Sequence, residues 1–454
     1  MFDLQPMGVH RASDGVPIPS ADQLALQDLE LGLFIHYGMT TYTDQSSPNG
    51  QEPVSTFAPS NVDCDDWATL AQEMGARFAM FTARHEEGFC LWPTATTDYS
   101  IAHASYRDGK ADLVREFVDS CRRKGIVPCL YHPSYMDGHH LFEPGDDRTW
   151  HKPWFHSTNM RLASDEKFER FMEMQCTQIR ELLTNYGPIA YLWLDHIGET
   201  QGILNPSQVD RFWGAIVAEA RRCQPSCLLM KADIYLSRDR DASTGVHGGR
   251  AAGSLWHACR REDTDEGQSD PLADPVNGTE YVAWESNTIF SGDWFWNGGY
   301  VKRLDSMIEH YYATIGRGST FLPNFAPDPS GRFPENAHRH AKLFGDWIAA
   351  TFGEPLAETG AGAATLEFGT PGIIDHIVIE EDLTNGQRVM AFELEGRWRG
   401  EWKPLASGTS IGHKRIIRIK PDWLSAVRVR CTETVGDATL RRIAAFGGEW
   451  SGVE

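Results

Sequence analysis

The chain has 454 residues, a formal net charge of −21 and 41% hydrophobic residues. Such acidity excludes nucleic acid and anionic membrane surfaces as partners, since both repel a strongly negative protein. The length exceeds one ordinary domain, and nine scattered cysteines, odd in number and without paired metal-ligand spacing, speak against a disulfide framework and a zinc site.

Residues 1–20 hold no apolar leader segment, and no run of ~18 apolar residues occurs anywhere, so a cytoplasmic location is expected unless a leader has been removed. The first strand reads Leu31-Gly32-Leu33-Phe34-Ile35 and runs into His36-Tyr37-Gly38. A loop rich in Ser, Gly, Pro and Asn follows, and then a helical period from Asp65 with Trp67, Leu70 and Met74 in phase, stopped by Gly75. Phe78 to Ala83 is a second strand, continuing into Arg84-His85-Glu86-Glu87-Gly88-Phe89. A helix over residues 112–124 and a strand over 126–131 end at His132-Pro133, and a long helix spans residues 164–186.

Gly187-Pro188 then launches Ile189-Ala190-Tyr191-Leu192-Trp193-Leu194-Asp195, an apolar run that ends in one carboxylate. Uninterrupted apolar character marks a strand buried on both faces. A carboxylate at the C-terminal end of such a strand stands where a β/α barrel places its chemistry; the plainer reading is a helix cap or an arginine partner. The alternation continues with a helix over 206–222, a strand over 227–231, a long insertion, and Tyr281-Val282-Ala283-Trp284-Glu285 as a strand ending in a carboxylate. A helix over 301–316, a strand over 320–325 and a helix over 334–352 complete it. Seven strands are legible and the eighth is missing or irregular. Strand followed by helix, with polar residues at strand C-termini, predicts an α/β fold of the (β/α)8 barrel type over residues 1–352. From Gly353 the pattern changes to short alternating stretches between Gly, Asn and Asp turns, which predicts a β-sandwich over residues 353–454.

Several stretches together resemble the α-L-fucosidases of glycoside hydrolase family 29. They are Phe34 to Gly38, His85 to Trp92, Trp193-Leu194-Asp195, and Gly316-Arg317-Gly318-Ser319-Thr320-Phe321-Leu322-Pro323-Asn324-Phe325-Ala326-Pro327-Asp328. The tail, Gly396-Arg397-Trp398 to Ile411-Gly412-His413-Lys414-Arg415, looks like the galactose-binding-like β-sandwich of the branch that cuts α-1,3/1,4-linked fucose. The resemblance implies an irregular barrel and a retaining exo-glycosidase that needs no cofactor or metal. It implies Asp195 as nucleophile, His36 and His85 as ligands of sugar hydroxyls, and Tyr131 as an aromatic near the ring. Retention needs two carboxyl groups only ~5–5.5 Å apart, one attacking the anomeric carbon and one protonating the leaving oxygen. Tyr37, Glu86, Trp92, His132, Trp193, Trp294 and Trp296 complete the expected substrate pocket, with Phe290 and Phe295 beside the last two as a sugar-stacking wall. The expected partner is an oligosaccharide or glycoside.

Two departures stand out. Glu86 occupies the place of a second histidine usual in the family, and Ser46-Ser47 the place of a Glu-Trp pair. A carboxylate accepts hydrogen bonds but cannot donate them, so it favours a differently placed hydroxyl; this raises a related L-sugar, such as L-galactose or L-glucose, as the alternative substrate. No Gly-Asn-Glu stretch follows the fifth strand to supply the acid/base. Glu285, set against aromatic residues that would raise its pKa, is the candidate, with Asp239, Asp241, Glu262 and Glu266 as alternatives and a carbohydrate-binding pseudoenzyme as the rival if none serves. Clustered His132, His139, His140 and His151 are read as loop histidines rather than metal ligands.

Overall fold

A computed structural model describes residues 10–43, 50–141, 165–195, 204–230, 234–236, 250–251, 253, 255–259 and 277–447. In chain order its first part runs α1 (Ala21–Gln27), β1 (Gly32–Ile35), α2 (Cys64–Met74), β2 (Phe78–Thr82), α3 (Leu113–Arg123), β3 (Val127–Tyr131), α4 (Asp165–Thr184), β4 (Tyr191–Trp193) and α5 (Pro206–Cys223). It continues with β5 (Leu228–Leu229), β6 (Ile234–Leu236), β7 (Ala283–Ile289), α6 (Leu304–Ala313), β8 (Thr320–Phe325) and α7 (Glu335–Phe352). Local chemistry sets these boundaries. The Asp63 side chain accepts from the backbone N–H groups of Asp65 and Asp66 at the start of α2, and Gly75 at φ +77° closes it in the left-handed region. Asn205 and Gln208 form a reciprocal capping box with Pro206 at the first turn of α5.

All eight strands belong to one sheet with the order β5-β4-β3-β2-β1-β8-β7-β6, every pairing parallel. Pairing of β8 with β1, Asn324 opposite Phe34 and Phe325 opposite Ile35, joins the last strand to the first. The strand the sequence did not yield is β6. Only residues 230–233 separate it from β5, so no helix announces it. A second difference concerns β7. It was expected to end at Glu285, but it starts at Ala283 and runs on to Ile289. Ser286, Asn287 and Thr288 are polar yet buried in the strand, and their composition reads as a loop. Helix α6 is shorter than expected because Thr314 leaves helical backbone geometry (φ −118°, ψ −82°) and its hydroxyl caps the His310 carbonyl at 2.7 Å.

Strand parity divides the core in two. Phe34, Met80, Cys129, Tyr131, Tyr191, Trp193, Leu228, Ala283 and Leu322 share an apolar cluster inside the sheet. Their chain neighbours Leu33, Ile35, Ala79, Phe81, Leu130, Leu192 and Phe321 join the cluster packed against the helices. Successive strand residues face opposite ways, so residues continuing the inward parity beyond a strand's C-terminal end face the mouth of the barrel. His36, Tyr131, Asp195, Glu285, Asn287 and Asn324 all have that parity.

The C-terminal module is a six-stranded antiparallel sheet, β9 (Ala357–Glu358), β10 (Thr365–Glu381), β11 (Val389–Trp398), β12 (Glu401–Gly408), β13 (Arg415–Thr434) and β14 (Leu440–Phe446), in the order β9-β14-β10-β13-β11-β12. β10 and β13 are long strands whose pairing is irregular between Glu367 and His376. One end of this pair carries β14 and the other β11. Ile377, Ile379 and Ile443 from the first end share a single core with Phe392, Leu394, Val427 and Val429 from the second, which is the sandwich arrangement. The module meets the barrel through Arg388 on Asp14 (2.6 and 3.2 Å), His413 and Arg441 on Asp28 (2.9 and 2.7 Å), and the Gln387 side chain, which accepts from the His257 backbone and donates to the Leu255 carbonyl. Asp28 precedes β1, and residues 257–259 pair with Glu280, Tyr281 and Val282 just before β7. These contacts therefore fall at the end of the barrel opposite the strand C-termini. Among the described residues, no helix is long and apolar enough to cross a membrane.

Candidate active site

At the mouth of the barrel the inward residues of β1, β3, β4 and β8 converge. The Tyr131 hydroxyl donates to Asp195 Oδ2 at 2.8 Å. Burial, followed by the adjacent Asp195 charge, pushes the Tyr131 pKa well above that of an ordinary phenol, which keeps the proton on oxygen and the carboxylate oriented. The His85 ring stacks on Tyr131 at 5.4 Å between centroids with 14° between planes. His36 lies 5.5 Å from His85, 5.0 Å from Trp294 and 5.3 Å from Phe295, while Phe34 and Trp193, 5.1 Å apart, form the apolar floor. The result is a cup with aromatic walls, two imidazoles and one carboxylate.

The structure fixes the tautomer of His36. Asn324 Nδ2 donates to the carbonyls of Asp293 (3.2 Å) and Trp294 (2.7 Å), so its Oδ1 is the atom facing His36 Nδ1 at 2.7 Å. An acceptor there requires a proton on Nδ1. In the neutral ring Nε2 is then the acceptor, suited to a sugar hydroxyl. Asn324 also ties the loop that carries Trp294 and Phe295 to the sheet. Asn324 lies within the Gly316–Asp328 stretch, and an amide inside a strand as apolar as Thr320–Phe325 is the sequence signal of its role.

Behind the cup, Arg84 is completely buried and spends its guanidinium on Asp137 (2.7 Å), Gln178 (3.1 Å) and the carbonyls of Pro133 and Met136. Asp137 also receives the His140 ring at 2.8 Å. Gly88, at φ +95°, sits so close that a Cβ there would lie 2.3 Å from Asp137 Oδ1. This knot holds the His85-Glu86-Glu87 turn in place. Glu86, half-buried on this turn, adds to the negative charge that Tyr131 feels alongside Asp195. The neighbouring Glu87 is fully enclosed, and burial pushes its pKa up to about 8.

Several expected pocket residues lie elsewhere. Tyr37 has the outward parity and packs in the helix-side core against Trp67 and Phe57 (5.4 and 6.0 Å), bonded to Tyr42. His132, one residue past inward Tyr131, is likewise outward; it bonds Ser134 and Gln178 at 3.0 Å each, and burial keeps it neutral. Trp92 is buried among the helices and donates to Glu181 at 2.8 Å. Phe290 belongs to the same helix-side core, and Trp296 folds over Gly299, so only Trp294 and Phe295 of the aromatic loop reach the cup. His139 bonds the Gly50 carbonyl and His140 bonds Asp137, so both are structural. Ser46, Ser47, His151, Asp239, Asp241, Glu262 and Glu266 lie outside the described residues.

Glu285 faces inward but deep. It stands in register with Thr320, the first residue of β8, and four strand residues before the end of β7. Its carboxyl is buried beside the Tyr191 hydroxyl and the Asn287 amide, a polar cluster inside the sheet. Burial pushes the Glu285 pKa up to about 8. The folded protein keeps a proton there that the unfolded chain loses near the ordinary carboxyl value, so the contribution is complete below about pH 4.3 and disappears as pH rises through about 8. The thermal midpoint is therefore expected to fall between pH 5 and 8.5, and the decline should be shallower in Glu285→Gln; an identical pH slope in both proteins would refute the assignment.

A family model described as α-L-fucosidase matches residues 50–353. The chain is 26% identical to α-L-fucosidase 1 of Arabidopsis thaliana over 93% of its own length and 85% of the relative's. Among solved structures, a glycoside hydrolase 29 family member from an unknown rumen bacterium aligns with 28% identity and a TM-score of 0.77, covering 95% of this chain and 77% of that one. A Ruminococcus gnavus family 29 fucosidase in complex with fucose aligns over 99% of this chain and 98% of its own with a TM-score of 0.75; at 19% identity this likeness concerns the fold alone.

Proposed function

From the premise that the chain belongs to the α-L-fucosidase family, glycoside hydrolase family 29, we propose that it removes terminal α-L-fucosyl residues from glycosides by a retaining double displacement. The observation that carries this reading is the Asp195 carboxylate at the C-terminal end of β4, held by the Tyr131 hydroxyl at 2.8 Å inside a cup of aromatic and imidazole side chains. Asp195 attacks the anomeric carbon while an acid at the rim protonates the departing glycosidic oxygen, and the same group, now a base, takes a proton from the water that releases the sugar from the aspartyl ester. His36, with its proton held on Nδ1 by Asn324, accepts from one sugar hydroxyl, and His85 contacts another. Trp294 and Phe295 cover the apolar face of the ring.

Glu285 does not fit the acid/base role. A proton donor must reach the glycosidic oxygen near the rim, whereas Glu285 lies four residues below the end of its strand, buried beside Tyr191 and Asn287. Glu285→Gln should therefore keep kcat for both activated and natural glycosides within a few-fold of the wild type, while loss of turnover confined to poor leaving groups would restore it as the acid. Glu86 supports a second reading, in which the sugar is a related L-configured one. A panel of 4-nitrophenyl α-L-fucoside, α-L-galactoside, α-L-glucoside, α-L-rhamnoside and β-D-fucoside separates the two. Fastest turnover of the α-L-fucoside supports the main reading; preference for another member overturns it, and Glu86→His should then shift the preference toward fucose.

A further inference from the structure

At the seam between barrel and module lies a cavity of about 220 Å³ whose charged lining runs against the character of the whole chain. The protein carries 63 acidic and 42 basic residues, yet among the described residues the cavity is lined by Arg250, Arg317, Arg415 and Arg418 with Glu309 as the single carboxylate. Two of the guanidiniums are fixed by the backbone: Arg317 donates to the Ala251 carbonyl at 2.5 Å and Arg415 to the Gly253 carbonyl at 2.7 Å. Arg418 lies 4.2 Å above the Tyr312 ring and bonds Glu309 at 2.8 and 3.4 Å. Burial, and then the charge of Arg317, press the Arg415 pKa below that of a free guanidinium. Four like charges held around one small space repel each other, and planar five-donor groups are the side chains best shaped for tetrahedral oxyanions.

We propose that this cavity is a binding site for a phosphate or sulfate group, free or carried by a small organic molecule, clamped between Arg317 of the barrel and Arg415 and Arg418 of the module. Its place in the fold separates it from catalysis. Residues 315–317 form the turn that leads into the N-terminal end of β8, and Arg415 starts β13 of the module, so the site faces the barrel end where substitutions affect stability rather than chemistry. The bound anion ties module to barrel and leaves turnover at Asp195 unchanged.

The test uses the full chain. Isothermal calorimetry with inorganic phosphate, inorganic sulfate and glucose 6-phosphate, at ionic strength matched with chloride, distinguishes a free anion from an organic ester. A saturable isotherm with at least one of them is expected. It should weaken by roughly tenfold or more in Arg317→Gln/Arg415→Gln, the loss of two charge-assisted contacts. Glu309→Gln removes the competing carboxylate and should tighten binding roughly three- to fivefold, the effect of one partly screened surface charge; this variant carries the test even if the double variant fails to fold. Thermal midpoints recorded in the same buffers separate site binding from the general stabilisation by excluded salts, which the arginine variants would retain. No saturable binding to any of the three anions, or equal binding in wild type and variants, overturns the proposal.

Discussion

Replacing Asp195 with Ala is expected to reduce turnover of 4-nitrophenyl α-L-fucoside by roughly 10³- to 10⁵-fold, ~4–7 kcal/mol of barrier. A nitrophenolate leaves without a proton, so its first step depends on the nucleophile and on stabilisation of the developing oxocarbenium ion rather than on the acid. Added azide should restore part of the rate in Asp195→Ala by occupying the space of the missing carboxylate, and the product should be the β-L-fucosyl azide, inverted at the anomeric carbon. The wild type should release α-L-fucose first, which proton NMR detects before mutarotation. Tyr131→Phe removes the hydrogen bond that orients the carboxylate and is expected to cost ~1.5–3 kcal/mol, the usual worth of a bond to a charged group, seen as a fall of about 10- to 100-fold in kcat. If Asp195→Ala keeps more than about a hundredth of the wild-type rate, another group is the nucleophile; if the first-formed sugar is the β-anomer, the mechanism is inverting.

The second large effect concerns stability. Arg84→Met leaves Asp137 as a carboxylate enclosed by protein with only His140 and Gln175 directed at its oxygens, and breaking a buried pair from one side costs ~3–5 kcal/mol. Chemical denaturation should register that loss. Converting Asp137 to Asn in the same protein removes the stranded charge and should recover part of it. Because Arg84 leads directly into His85 and Glu86, the remaining folded protein should also show a raised KM, whereas a purely structural residue distant from the turn would lower stability alone. A loss under ~1 kcal/mol would mean that the pair contributes no more than an ordinary surface substitution.

These residues also show what the sequence made legible. The strands from Gly32, Phe78, Val127 and Thr320 are apolar runs bounded by Gly, polar residues or loop composition, and no alternative element competes for them. β6 escaped because Ile234-Tyr235-Leu236 follows β5 without a helix between, and the end of β7 because Ser286, Asn287 and Thr288 make a buried strand out of residues that favour turns. At the candidate site, the His36 motif and the Asp195 strand both lead to the C-terminal end of the sheet, where the structure brings His36, Tyr131 and Asp195 together. Grouping by adjacency in the chain then drew in Tyr37, His132 and Trp92, which face the other way. Period-two parity, counted from Phe34, Cys129 and Tyr191, would have separated them: residues two beyond an inward residue belong to the cup, and residues one beyond belong to the outer core. Asn324, which sets the proton position on His36, obeys the same count. Glu285 shares the inward parity yet sits four residues below the end of its strand, because parity sets direction and register sets depth.

The attachment of the module to the closed end of the barrel carries one more implication. Arg388, His413, Arg441 and Gln387 all dock there, while the cup around Asp195 opens at the other end, so a change at one surface leaves the geometry of the other intact. Loops at the mouth can drift to accept new glycosides without disturbing the docking surface. Substitutions in the module leave the residues around Asp195 in place. A substitution scan scored for glycoside preference should therefore be nearly flat across residues 357–446, and one scored for yield of folded protein should not.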